Sequence, residues 1–174
     1  MRLLPAEILC LGLLLPLAAA ALPSDREQPL QVSANSARFN EKTGIATYTG
    51  AVVVQQGTLE IRAEEVIIRV DRKGAVTSTE ARGAPARYQQ QTDPKKGPVT
   101  AEAARIDYDA SNEIVTLSGN ARLRQEGSSF QGSTITYNSL RQQVDAKGEG
   151  ADRVQLVFPA QARDSRAREK DRKN

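Results

Sequence analysis

A six-residue phrase recurs four times along this chain, each time at the same place in a larger unit. It runs from a small residue through two mostly polar ones to a small or apolar residue, a polar one and an apolar one. The copies are Ala34-Asn35-Ser36-Ala37-Arg38-Phe39, Ala63-Glu64-Glu65-Val66-Ile67-Ile68, Ala101-Glu102-Ala103-Ala104-Arg105-Ile106 and Gly132-Ser133-Thr134-Ile135-Thr136-Tyr137. A turn-like stretch follows each, then a glycine: Gly50, Gly83, Gly119 and Gly148. The phrases start 29, 38 and 31 positions apart and the glycines lie 33, 36 and 29 apart, an irregular period but a period. Repetition at this length belongs to stacked architectures, in which each unit buries its apolar face only against its neighbours. Such a chain is expected to bind or bridge rather than to catalyse.

The phrases interrupt an otherwise regular alternation of apolar residues. Leu30-Val32-Ala34 share one parity and Ala37-Phe39 the other; Leu59-Ile61-Ala63 pass to Val66-Ile68-Val70, Val99-Ala101 to Ala104-Ile106-Tyr108, and Phe130-Gly132 to Ile135-Tyr137. A two-residue step keeps a strand's buried face, so a three-residue step from a small residue marks one extra residue, the mark of a β-bulge or sharp bend. Between the bends, Ala46-Tyr48-Gly50-Val52-Val54 matches Val115-Leu117-Gly119-Ala121-Leu123 at an offset of 69, so each half of the chain repeats the other. A glycine on the inward face leaves a gap into which a neighbouring backbone or a ligand can come close. Turn residues fill the connectors, as in Glu41-Lys42-Thr43-Gly44 and Asp93-Pro94-Lys95-Lys96-Gly97-Pro98. From Leu22 onward, 19 of the 33 large apolar residues are Val or Ile, which favours strands. The expected fold is all-β, an open, curved antiparallel jelly roll of repeated bent strands. Its edges should be a strand near Leu30 and one at Val154-Leu156-Phe158, with little charge or proline to block pairing.

The chain ends differ from its middle. Arg2, the apolar run Ile8 to Leu17 and the small residues Ala18 to Ala21 form an export leader, expected to be cut so that residues 1–21 leave. The uncharged stretch from Ile8 to Leu22 is 15 residues, against the ~20 that a membrane-spanning helix needs. Cys10, the single cysteine, would leave with it, and the chain has no histidine. Residues 22–158 are expected to form one domain. Residues 159–174 carry Arg163, Arg166, Arg168, Lys170, Arg172 and Lys173 and, after Pro159, no apolar residue larger than alanine, a tail expected to be disordered.

Gln28-Pro29-Leu30-Gln31-Val32-Ser33-Ala34, the strand Ala46 to Gly57, Gly83-Ala84-Pro85-Ala86-Arg87-Tyr88 and Val115-Thr116-Leu117-Ser118-Gly119-Asn120-Ala121 together resemble the OstA-like family, in order and spacing, over about Gln28 to Phe158. The resemblance implies a periplasmic β-jelly roll whose interior shields the lipid A acyl chains of lipopolysaccharide between inner and outer membrane. It also implies end-to-end, edge-to-edge joining of copies of the chain, between an inner-membrane-anchored OstA-like component and an outer-membrane one. Carried onto this chain, the lipid-lining positions are Leu30, Val32, Tyr88 and Tyr108, and Tyr48 and Ile106, on the same inward parity, join them as candidates. No cofactor is implied.

Rival functions find little support in the residues. Glycosidases need two carboxyl groups across a cleft. Glu64 and Glu65 are adjacent and so point to opposite faces of a strand, while Asp107 and Asp109 lie on the parity opposite Ile106 and Tyr108. With no tryptophan, no histidine and no cysteine after the leader, the usual catalytic groups are missing. The net charge of +3 is spread along the chain, so no basic face for nucleic acid is expected. Two further readings stay open: a membrane-anchored relative in the same transport system, and an envelope β-module without a ligand.

Overall fold

Alternating β-branched residues favour an extended chain with two unlike faces, and the chain closes those faces into one long, bent sheet. The computed structural model describes residues 25–138, 140–150 and 153–159. The expected leader and the expected tail from residue 160 lie outside them. After a short 3-10 turn at Asp25–Glu27 come ten strands: β1 Gln31–Ser33, β2 Ser36–Asn40, β3 Ile45–Gln56, β4 Leu59–Val70, β5 Val76–Gln90, β6 Val99–Asp109, β7 Ile114–Gln125, β8 Ser128–Asn138, β9 Gln143–Lys147 and β10 Gln155–Val157. Paired antiparallel, they run β1-β3-β4-β5-β6-β7-β8-β10, with β2 also on β3 and β9 also on β8. Each edge is therefore one strand broken in two, β1 with β2 and β10 with β9. The sequence pointed to the β1 and β10 halves.

The breaks lie on a single line. Register shifts fall between Thr49 and Val52, Arg62 and Glu65, Arg82 and Ala86, Glu102 and Arg105, and Ser118 and Ala121 in successive ladders. At the first edge, Asn35 N donates to Gly50 O at 2.9 Å where β1 gives way to β2. Along this line the sheet folds over, and residues from both sides of it pack into one apolar cluster.

Two details differ from the sequence reading. Ala103 is buried and pairs with Ala86, whereas Ala104 is exposed, so the third three-residue step runs from Ala103 to Ile106. Three alanines of equal size stand at 101, 103 and 104, and composition does not tell them apart. With that shift, Ala34 and Ala103 stand 69 residues apart, as do Ala63 and Gly132, and Gly50 and Gly119. The second correction concerns the inward glycines. Gly50-Ala51 and Gly119-Asn120 all have positive φ (80°, 46°, 80° and 51°). A Cβ on Gly50 would sit 2.6 Å from Asn35 Nδ2, and one on Gly119 would sit 2.9 Å from Ala104 Cβ. The bend residue of the next strand fills the gap, and no ligand space is left there.

Candidate functional site

Cross-strand pairing sorts the inward residues into tiers. One crosses the sheet as Val32, Val54, Ile61, Tyr88, Ala101, Leu123, Phe130 and Leu156, each the direct partner of the next. On the other side of the bend a second tier runs Tyr48, Val66, Ala81, Ile106, Leu117 and Ile135, and a third includes Phe39, Ala46, Ile68, Thr79, Tyr108, Val115, Tyr137 and Val144. Folding along the bend line brings the first tier against the others. Direct partners on one face stand about 4.5–5.5 Å apart, close enough for each tier to form a continuous apolar strip.

Packing is tight in the middle and loosens toward the two edges. Val66, Ile106, Leu117 and Ile135 are fully buried, with exposures of 0–1%. At one edge Leu30 and Phe39 are 37% and 57% exposed; at the other Leu156 and Phe158 are 48% and 66% exposed. Near the second edge a cleft of about 320 Å³ opens between the layers, with Leu123 and Phe130 on one side of the bend and Tyr137 and Val144 on the other. Phe158 meets Phe130 edge to face there, ring centres 6.0 Å apart. A second cleft, about 350 Å³, lies against the outer face among Glu60, Arg62, Arg87, Glu102, Arg122 and Arg124. Tyr88 and Ala101 also border it, while Asp93, Lys96 and Glu126 border the first, which is the one that reaches Leu123, Phe130, Tyr137 and Val144 of the apolar interior.

Among the residues singled out from sequence, Val32 and Tyr88 share the first tier, Tyr48 and Ile106 the second, and Tyr108 lies on the third. Leu30 precedes β1 and is partly exposed at the edge. The fold thus brings five of them into one interior, with Leu30 at its rim. Ile106 is in the sealed centre, while Val32, Tyr48 and Tyr108 are half-buried. Burial pushes the Tyr88 hydroxyl far above its usual range, with Tyr137, Tyr108 and Asp25 adding to the effect, so it stays a neutral donor. It donates to Gln90 Oε1, and Gln90 Nε2 in turn donates to Asp25 Oδ2 at 2.6 Å. Asp25 also accepts from Thr58 N at 2.7 Å and Thr58 Oγ1 at 2.8 Å, which ties the N-terminal turn across the strand ends of β4 and β5.

Leu123, Phe130, Tyr137 and Val144 were not singled out from sequence. Alternation is the signal that places the first three inward, and the 69-residue offset adds that they stand where Val54, Ile61 and Ile68 stand in the first half of the chain. The carboxylates weighed earlier as catalytic have other partners. Arg105 Nη2 lies 2.7 Å from Asp107 and 3.3 Å from Glu80 on the outer face. Asp109 accepts from Ser111 N and Asn112 in a turn, bonds that hold its carboxyl below the usual range, the Asn112 side chain contributing most.

A bent, folded-over sheet with an apolar interior open at both strand edges now has counterparts among known proteins. Residues 31–143 match the family described as LptA/(LptD N-terminal domain) LPS transport protein. The chain belongs to that family. Among its members, the lipopolysaccharide export system protein LptH of Pseudomonas aeruginosa is 40% identical over 128 residues, 74% of this chain and 73% of LptH. LptA of Haemophilus influenzae is 35% identical over 173 residues, 97% of this chain and all of that protein. The crystal structure of LptH, described as the LptA-homologous periplasmic component of the lipopolysaccharide transport device of P. aeruginosa, superposes with a TM-score of 0.73 at 35% identity, covering 79% of this chain and 99% of the chain in that crystal. The antiparallel all-β fold read from the sequence is thus that of an LPS transport protein.

Proposed function

We propose that this protein carries lipopolysaccharide across the periplasm, with the acyl chains held between the two layers of the folded sheet. The observation that supports this most is the grading of the interior, sealed in the middle and opening into exposed apolar side chains at both edges. Each acyl methylene moved from water into such a lining gains about 0.8 kcal/mol. Acyl chains enter between the layers beside Val32, Tyr48, Tyr88 and Tyr108, with Leu30 at the rim, and reach Ile106 only as the layers part. The mature chain begins after the leader, and its one domain ends near Phe158. Copies join end to end through the two open edges, and the row meets related OstA-like components at the inner and outer membranes.

Native mass spectrometry of the protein purified from a lipopolysaccharide-producing host tests the cargo. The expected spectrum contains the chain with one or more lipopolysaccharide adducts. A folded chain from that host carrying no lipid adduct would overturn the carrier reading in favour of a β-module without ligand.

A further inference from the structure

The two edges of the molecule are copies of strands that already pair with each other in its middle, and from this we infer the register in which one copy joins the next. The inference rests on the end-to-end assembly proposed above and specifies its contacts.

β1 with β2 is the copy of β6. Val32 pairs with Val54 and Phe39 with Ala46 on β3; 69 residues later Ala101 pairs with Leu123 and Tyr108 with Val115 on β7. In the same way β9 with β10 is the copy of β5. On β4, Ile68 faces Thr79, Glu65 faces Arg82 and Ile61 faces Tyr88. On β8, 69 residues further along, Tyr137 faces Val144, Thr134 faces Lys147 and Phe130 faces Leu156. Inside the molecule β5 and β6 pair along their whole length, Thr79 with Tyr108, Glu80 with Asp107 and Tyr88 with Ala101. The free side of β9/β10 is the side that β5 gives to β6, and the free side of β1/β2 is the side that β6 gives to β5. Laying one edge on the other in the register of that internal joint sets Val144 opposite Phe39, Asp145 opposite Arg38 and Leu156 opposite Val32 of the next copy.

The side chains suit this register. Phe39 and Leu156, both heavily exposed in the single chain, each gain an apolar partner on the inward face, so the tiers run on from copy to copy. On the outward face Asp145 and Arg38 meet with opposite charge, and among the described residues neither has an ion-pair partner within its own chain. A slip of two residues keeps the faces but sets Asp145 against Ser36 or Asn40 and removes the charge match. Because the two edges differ, the contact is head to tail and does not close.

Disulfide trapping reads the register directly in a chain starting at Leu22, which contains no cysteine of its own. Asp145→Cys is mixed with Arg38→Cys, and separately with Ser36→Cys or Asn40→Cys, and oxidised. Direct antiparallel partners have Cα atoms about 4.5–5.5 Å apart and diagonal ones about 7–8 Å, while a disulfide spans about 4.4–6.8 Å. The Arg38 pair should therefore crosslink at least about tenfold faster than either slipped pair. In parallel, Arg38→Glu should weaken self-association about fivefold or more, and Asp145→Lys in the same chain should restore it. Slipped pairs crosslinking as fast as the Arg38 pair, or no rescue by the double change, would overturn the register. If light scattering of the unchanged chain still shows mass rising with concentration in that case, end-to-end assembly stands without it. If the mass does not rise and no pair crosslinks, assembly and register fall together.

Discussion

Gly119→Ala tests the bend line that folds the sheet over. Gly119 sits at φ +80°, and an added Cβ would lie 2.9 Å from the Cβ of Ala104 across the ladder, inside any ordinary contact. A left-handed backbone costs an L-residue about 1–2 kcal/mol, and crowding a packed site adds about 1–3 kcal/mol. Gly74 provides the internal control. It has φ +83° but nothing within 4 Å of its would-be Cβ, so Gly74→Ala should cost the backbone term alone, about 1–2 kcal/mol. Urea unfolding followed by circular dichroism should place Gly119→Ala below Gly74→Ala by about 1–3 kcal/mol with an unchanged m-value. Combining Gly119→Ala with Ala104→Gly should recover most of that difference, because the pair is in contact and so should not be additive. Equal losses for Gly119→Ala and Gly74→Ala, or a double variant that simply sums the two single losses, would refute the close approach as the reason for glycine here.

Other expectations follow from where residues sit between sealed centre and open edge. Ile106→Asp places a carboxylate in the sealed centre at a cost of several kcal/mol and should abolish the β-sheet circular dichroism signal, whereas half-buried Val32→Asp should leave the fold intact and reduce lipopolysaccharide capture. Asp25→Ala removes three hydrogen bonds to Thr58 and Gln90 and should lower stability by about 1–3 kcal/mol in urea unfolding. A chain ending at Gly150 lacks β10 and the Phe158–Phe130 contact. It should fold and bind lipid, and with only the β9 half of the joint left it should need a higher concentration than the longer chain before its mass grows in light scattering.

How much of this was legible in the sequence follows from what alternation encodes. Alternation fixes which residues point inward, so the strands, both edges and the inward parity of Val32, Tyr48, Tyr88, Ile106 and Tyr108 could be read from it. It does not fix depth. Ile106 and Tyr108 have the same parity two residues apart on the same strand, yet one is sealed and the other half-exposed, because alternation does not say how closely the opposite layer covers each position once the sheet has folded over. The bend at Ala103 was misplaced by two residues because three alanines offer no contrast in size. The cleft at Leu123, Phe130 and Tyr137 is not legible in the sequence because alternation gives these residues their inward parity but not the gap that opens between the layers beside them. The broken edges, β2 and β9, are short and polar on their outer face, so their pairing depends on the neighbouring strand more than on their own pattern.

Site-specific photo-crosslinking tests the central claim most directly. A photoreactive residue at Tyr108 or Phe130 looks into the interior; one at Arg105 or Arg122, with side chains 45% and 47% exposed, looks outward from the same sheet. In cells making lipopolysaccharide, irradiation should capture it at the first two positions and not at the second two. Equal capture at all four, or capture only at the arginines, would contradict an interior that carries lipid.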